Sequence, residues 1–233
     1  MKFLDNIISS TKGFTTLSNA LGKNAAVAVT GVSGVHKANM ISALCHFKNV
    51  RAFCVAQNEG EAQTICNDLC TMGLNAMVYP TRDFNFMNIE GESHEYEHQR
   101  LNVLTKLMKN ECDVVIACLD AAAQFTIPKD VLKKTSLNLK AGDSISINHL
   151  IESLLLLGFE RCDQVEGIGQ FAVRGGILDF FMPDGKNPVR VEFWGDEITD
   201  LSYFDIESQR RGEKSGEIKL SPSAEIIIED KNA

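Results

Sequence analysis

Three short patterns place side chains at spacings that could do chemistry. Gly31-Val-Ser-Gly34-Val-His36-Lys37-Ala38 lies between an apolar run and a helical stretch, where a phosphate-binding loop would stand. A working loop needs a glycine just before its lysine, so that backbone amides wrap the phosphates, and a Ser or Thr just after it to ligate magnesium. His36 and Ala38 hold those places, so Lys37 could meet a phosphate but no hydroxyl beside it would hold the metal. The pattern favours a turn whose glycines let a strand pack closely on a helix. His94-Glu-Tyr-Glu-His98 matches HExxH, in which one helix face offers two imidazoles to zinc and the glutamate acts as general base. The stretch before it is loop-like and no apolar helix surrounds it, so the pair reads as surface histidines near a helix start. Cys66 and Cys70 lie one helical turn apart without a second Cys/His pair nearby, which favours small buried apolar side chains over a metal site.

The elements that would carry these residues alternate. Ala25–Thr30 (AAVAVT) reads as a buried strand, His36–Phe47 as a helix, Val50–Val55 as a strand, Glu59–Met72 as a helix and Ala76–Tyr79 as a strand. The polar stretch Thr81–Glu95 reads as a loop, Tyr96–Lys109 as a helix and Asp113–Leu119 as a buried strand, which together predict a parallel sheet covered by helices. From about Pro128 the pattern changes to short strands joined by turns. Leu137–Leu139 precedes an Ala-Gly-Asp turn, and Ser146 or Asn148 could cap a leucine-rich helix running to Gly158. Gly169–Val173, Gly176–Phe181, Val189–Trp194 and Ile198–Phe204 then follow with turn chemistry between them, so antiparallel pairing is expected. Glu207–Gly216 reads as charged and turn-rich, and Glu217–Ile228 as a further strand. The expected organisation is a first α/β domain over 1–127, a second α+β domain over 128–206 rich in antiparallel strands, and a return segment over 207–233.

The composition sets limits on function. The 233 residues are 44% hydrophobic and 23% charged, which is ordinary globular usage. A formal charge of −8 is opposite to the basic footprint of a stand-alone nucleic-acid binder, so DNA is a poor first guess for a direct partner. Seven cysteines make an odd number without the dense framework of a small secreted domain, which points to a reducing compartment. The opening MKFLDNIISSTKGF lacks the unbroken apolar core and cleavage site of a signal peptide, and no stretch approaches the length needed to span a bilayer. A cytoplasmic location without membrane contact is the expectation.

The second half carries long, specific motifs. Gly169-Gln-Phe-Ala-Val-Arg174-Gly-Gly-Ile-Leu-Asp179-Phe-Phe181 is followed by Pro188-Val-Arg190-Val-Glu192-Phe-Trp-Gly-Asp-Glu-Ile198 and by Tyr203-Phe-Asp-Ile-Glu-Ser-Gln-Arg210. Together with Gly158–Val165, Leu101–Leu119 and the loop at Gly31, these segments resemble the amino-terminal, UvrB-homology region of the bacterial transcription-repair coupling factor (Mfd) family. The resemblance implies a helicase-like first domain with a degenerate P-loop (Gly31, Gly34, His36, Lys37, Ala38). It implies an inserted second domain that binds the excision-repair subunit UvrA, with Arg161, Arg174 and Phe181 at the matching contact positions. Ala172 stands where UvrB-like sequences carry a further arginine. The chain then reads as a non-catalytic adaptor, without metal or cofactor, that recruits UvrA to stalled transcription complexes. It would be a fragment of an ATP-dependent DNA translocase whose RNA polymerase and DNA contacts lie elsewhere. A helicase half with weak ATP affinity is the alternative. Without the resemblance, a strand arginine such as Arg174 or Arg190 would be expected to pair internally with Asp179 or Glu192.

Overall fold

A computed structural model describes residues 2–22, 25–82, 94–134 and 136–225, with backbone alone for 2–4. The chain divides into two compact units, Met1–Asp83 with Lys106–Gln124, and Phe84–Thr105 with Phe125–Ala233.

The first unit opens with α1 (Lys2–Ser9), α2 (Lys12–Leu21) and α3 (Val35–Lys48), and continues through β1 (Ala52–Ala56), α4 (Glu59–Thr71) and β2 (Ala76–Tyr79). After α5 (Glu95–Met108), whose 95–105 part groups with the second unit, it closes with β3 (Val114–Cys118) and α6 (Leu119–Ala123). The three strands form one parallel sheet in the order β1-β3-β2. Central β3 is buried at every residue, as expected of a strand with a neighbour on each side and helices above it. Val114 and Ile116 pack with Ala38 and Cys45 of α3 and with Ala62, Cys66 and Leu69 of α4. Asn58 starts α4, its Oδ1 accepting the Glu61 N–H at 2.9 Å, while Glu61 Oε2 accepts the Gln57 N–H at 2.8 Å.

Ala25–Thr30 departs from expectation. It is not a strand, and all six residues are exposed. A short apolar run becomes a strand only where a ladder receives it, and the described ladder contains β1, β3 and β2 alone. The loop expected over 81–95 falls largely on 83–93, outside the described residues.

In the second unit α7 (Lys129–Lys134), β4 (Leu137–Lys140) and α8 (Ile147–Leu156) precede β5 (Glu160–Arg161), β6 (Gln170–Arg174), β7 (Ile177–Phe180), β8 (Val189–Trp194), β9 (Glu197–Phe204), β10 (Arg211–Lys214) and β11 (Glu217–Leu220). A six-stranded sheet runs β10-β9-β8-β7-β6-β5, antiparallel except for the parallel β5–β6 pair, and β11 pairs with β4. The Ser146 hydroxyl caps α8 by accepting the His149 N–H at 3.2 Å. Leu150 and Leu154 of α8 pack with Phe171, Leu178, Phe180, Val191 and Leu201 on the inner face of the sheet. The rings of Phe159 and Phe180 meet edge-on at 6.2 Å. Sequence patterning misses β10 because Arg211–Lys214 has no apolar residue, and misses β5 because two residues carry no period. The strand expected over 217–228 is seen over Glu217–Leu220, and its part after 225 lies outside the described residues. Among the described residues no helix is long and apolar enough to cross a membrane.

Candidate partner-binding site

Strand alternation places the inner-face residues Phe171, Leu178, Phe180, Val189, Val191 and Leu201 in the core and turns the residues between them outward. The register assembles two adjacent outward rows. One runs Ala172, Asp179, Arg190, Ser202, and the other Arg174, Ile177, Glu192, Asp200. Half-buried Phe181 packs against Val165, Ala172 and Phe204 on this outer side.

The two rows treat their arginines differently. Arg190 is held by Asp179 through two hydrogen bonds of 2.8 Å, Nε to Oδ1 and Nη2 to Oδ2, and its guanidinium lies 4.7 Å from the centre of the Phe204 ring. The Asp179 hydrogen bonds push the Arg190 pKa upward. Arg174 is exposed, and its guanidinium donates to the Asp163 carbonyl at 2.8 and 3.2 Å and to Gln164 Oε1 at 3.4 Å. Those acceptors are neutral, so they orient the fork without cancelling its charge. The carboxylates of its own row are occupied elsewhere: Arg211 bridges Glu192 and Asp200, and Lys214 reaches Asp200 at 3.2 Å.

Ala172 is 2% exposed beneath Val165 and Phe204. Arg161 does not join this face. It is exposed on β5, but its register partner is Phe171, so alternation assigns it to the opposite side of the sheet edge from Arg174 and Phe181.

The glycine loop folds as a turn. Gly31 and Gly34 take φ of +78° and +52°, values that suit glycine, and α3 starts at Val35 without a side-chain cap. His36 is exposed. Lys37 donates to Glu61 Oε1 at 2.7 Å, and this bond, followed by the one from Gln57 N–H, holds the Glu61 carboxyl below its ordinary range. A carboxylate thus already sits on Lys37, the only lysine or arginine in the Gly31–Ala38 loop. Ala38, at the place of a magnesium-ligating hydroxyl, is fully buried in the core around Ile116.

The His-Glu-Tyr-Glu-His motif is structural. His94 is exposed, but His98 is half-buried, which corrects its reading as a surface histidine: its Nε2 is 3.1 Å from the Ser223 hydroxyl. Burial depresses the His98 pKa, Glu97 opposing it and His94 adding to it. Glu97 accepts the Glu225 N–H at 2.7 Å, and fully buried Arg100 donates through Nε to both oxygens of Glu225 at 3.0 Å. One helix face therefore clasps residues 223–225. A side chain at Gly158 would collide with Ala224, and a Cβ at Gly169 would come within 2.6 Å of the Ser223 hydroxyl. Sequence reasoning missed Arg100 and Glu225, since a pair 125 residues apart leaves no periodic signal. Of the cysteine pair, Cys66 is buried, its thiol pushed up to about 12 by burial, whereas Cys70 is exposed. Among the described residues no group of three or more His, Cys, Asp or Glu side chains is placed to hold a metal ion.

Residues 137–225, from β4 through β11 and the clasped segment, match the family model described as the UvrB interaction domain. The whole chain is similar to transcription-repair-coupling factors, in agreement with the resemblance read from the Gly169–Phe181 and Pro188–Ile198 motifs. The protein of that name from Bacillus subtilis (strain 168) is 29% identical over 231 residues, covering 97% of this chain and 20% of the relative. Those of Staphylococcus epidermidis (strain ATCC 12228 / FDA PCI 1200) and Staphylococcus aureus (strain USA300) are 28% and 26% identical over 227 and 230 residues. The chain spans about a fifth of the length of the curated relatives it matches.

Proposed function

We propose that this chain is a non-catalytic docking region that binds the excision-repair subunit UvrA through the outer face of β6, β7 and β8. Within a longer transcription-repair coupling factor it would bring UvrA to stalled transcription complexes. Contacts with RNA polymerase and DNA, and ATP-driven translocation, would belong to the rest of that protein. The first unit is read as a helicase-like motor half whose loop at Gly31–Ala38 has lost nucleotide chemistry. The proposed domain plan is 1–127, 128–206 and a return segment over 207–233, and the compact units differ from it in grouping 95–105 with the residues that follow Gln124.

The observation that carries this reading is Arg174. It is a cation oriented by neutral acceptors on the exposed face of a segment similar to the UvrB interaction domain. An arginine fork suits two-pronged pairing with a partner carboxylate, and arginine is enriched among interface anchors. Phe181 supplies apolar area on the same face, and Arg161 would act from the neighbouring sheet edge. The Lys37–Glu61 pair argues against the alternative of weak ATP binding. The test is calorimetric titration of the chain with UvrA and, separately, with magnesium-ATP. Saturable heat is expected for UvrA alone. A saturable ATP isotherm without UvrA binding would replace this reading with the nucleotide-binding one.

A further inference from the structure

Trp194 is the chain's only tryptophan, and it is 82% exposed. A lone exposed leucine would mean little, because apolar atoms make up much of any protein surface. Trp194 differs in its position. It pairs with Glu197 at the end of the β8–β9 hairpin, while the preceding pair, Phe193 and Ile198, turns inward to the core. Alternation therefore puts Trp194 on the outer face, one step beyond the row of Arg174, Ile177, Glu192 and Asp200.

The β6–β7 turn reaches the same end of the sheet. The Phe193 N–H donates to the Gly176 carbonyl at 2.8 Å, and a Cβ at Gly176 would come within 2.9 Å of the Phe193 carbonyl oxygen. Among the described residues a Cβ at Gly175 or Gly195 would meet nothing within 4 Å, while Ser144 bridges Glu197 and the Ile145 N–H donates to the Asp196 carbonyl at 2.8 Å, so the second turn is held through its own backbone. The fold gains little from an indole here, since Phe193 supplies the core contact and Gly195, at φ +63°, supplies the turn. Tryptophan and arginine are among the side chains most enriched at interface hot spots.

We propose that Trp194 is a second anchor of the docking face, extending it from Arg174 across Ile177 to the 194–197 turn. The inference rests on the reading of this face as the UvrA-binding surface. Asp196 and Glu197 are exposed beside the indole, whereas Arg174 lies on its other side. The matching surface of UvrA is therefore an apolar recess for one aromatic ring, with basic groups facing Asp196 and Glu197 and carboxylates facing Arg174.

A single tryptophan makes the test direct. The chain labelled with 5-fluorotryptophan has one fluorine resonance, which is followed during titration with unlabelled UvrA while calorimetry measures affinity. The resonance is expected to shift or broaden in step with saturation. Trp194→Ala should weaken binding about tenfold or more with an unchanged melting temperature, and Trp194→Phe should recover part of the loss. An unmoved resonance, or an unchanged affinity for Trp194→Ala, in the presence of saturable UvrA binding overturns the anchor and leaves the docking reading intact. Absence of any UvrA binding overturns both.

Discussion

Two arginines on one sheet face, in neighbouring rows, have opposite surroundings. Arg190 is locked to Asp179 by two short bonds and lies over Phe204, so its charge is cancelled within the fold. Arg174 is aimed by a carbonyl and an amide oxygen, and the carboxylates of its row are held by Arg211 and Lys214. The expectation of internal pairing holds for Arg190 with Asp179, and Arg174 has no carboxylate partner among the described residues. Residue type alone does not make an arginine structural or available. The neighbour set does.

Substituting each arginine in turn should separate a loss of stability from a loss of binding. Arg190→Ala should show the largest effect, because it strands the nearly buried Asp179 carboxylate: about 3 kcal/mol of unfolding free energy, read by denaturant titration, with the surviving folded fraction still binding UvrA. Arg174→Ala should do the reverse, leaving denaturation unchanged and weakening UvrA binding by about 2 kcal/mol as a charge-assisted contact is removed, with Arg174→Glu worse. If Arg190→Ala abolished binding at full stability, or Arg174→Ala unfolded the chain at unchanged affinity, the two roles would be misassigned. Arg161→Ala, on the opposite side of the sheet edge, should weaken binding less than Arg174→Ala in the same calorimetry.

Lys37 extends the contrast to the first unit, since it too has a carboxylate of its own chain. The double variant His36→Gly, Ala38→Thr should not hydrolyse ATP in a phosphate-release assay. It should also melt lower, because added atoms at a fully buried position cost about 1–3 kcal/mol. Turnover above background would show that the loop retains its original design. The smallest effect concerns pH. The folded state holds His98 neutral below its ordinary pKa of 6.5, whereas the unfolded chain takes up the proton near that value. Its contribution is thus present above about pH 6.5 and declines as pH falls below it. The unfolding free energy of the parent chain minus that of His98→Gln should fall between pH 7.5 and 5.5. A constant or rising difference would contradict the burial of His98.

Much of the fold was legible because period and turn chemistry are local. Ala76–Tyr79 and Val189–Trp194 fold over the spans the patterns indicate, Ser146 caps its helix, and the central strand is read correctly from an unbroken apolar run. The failures share a cause. Ala25–Thr30 has a strand's composition without a ladder to join, and Arg211–Lys214 has a ladder without a strand's composition. In both, the deciding factor is a neighbour distant in the chain. The reading of His98 as a surface histidine failed in the same way, since only the contact with Ser223 and Glu225 shows that His98, Glu97 and Arg100 serve as a clasp.

By itself the sequence determined the alternation of elements, the loss of the glycine and hydroxyl that a phosphate loop needs, and the family motifs around Arg174, because each is written in residues close together along the chain. Only the tertiary structure decided which charges remain available. Whether Arg174, Arg190 or Lys37 can reach a partner depends on the register that puts Asp179 opposite one of them and on the packing that brings Glu61 to another, and electrostatic pairing acts over a few ångströms of space whatever the separation in sequence.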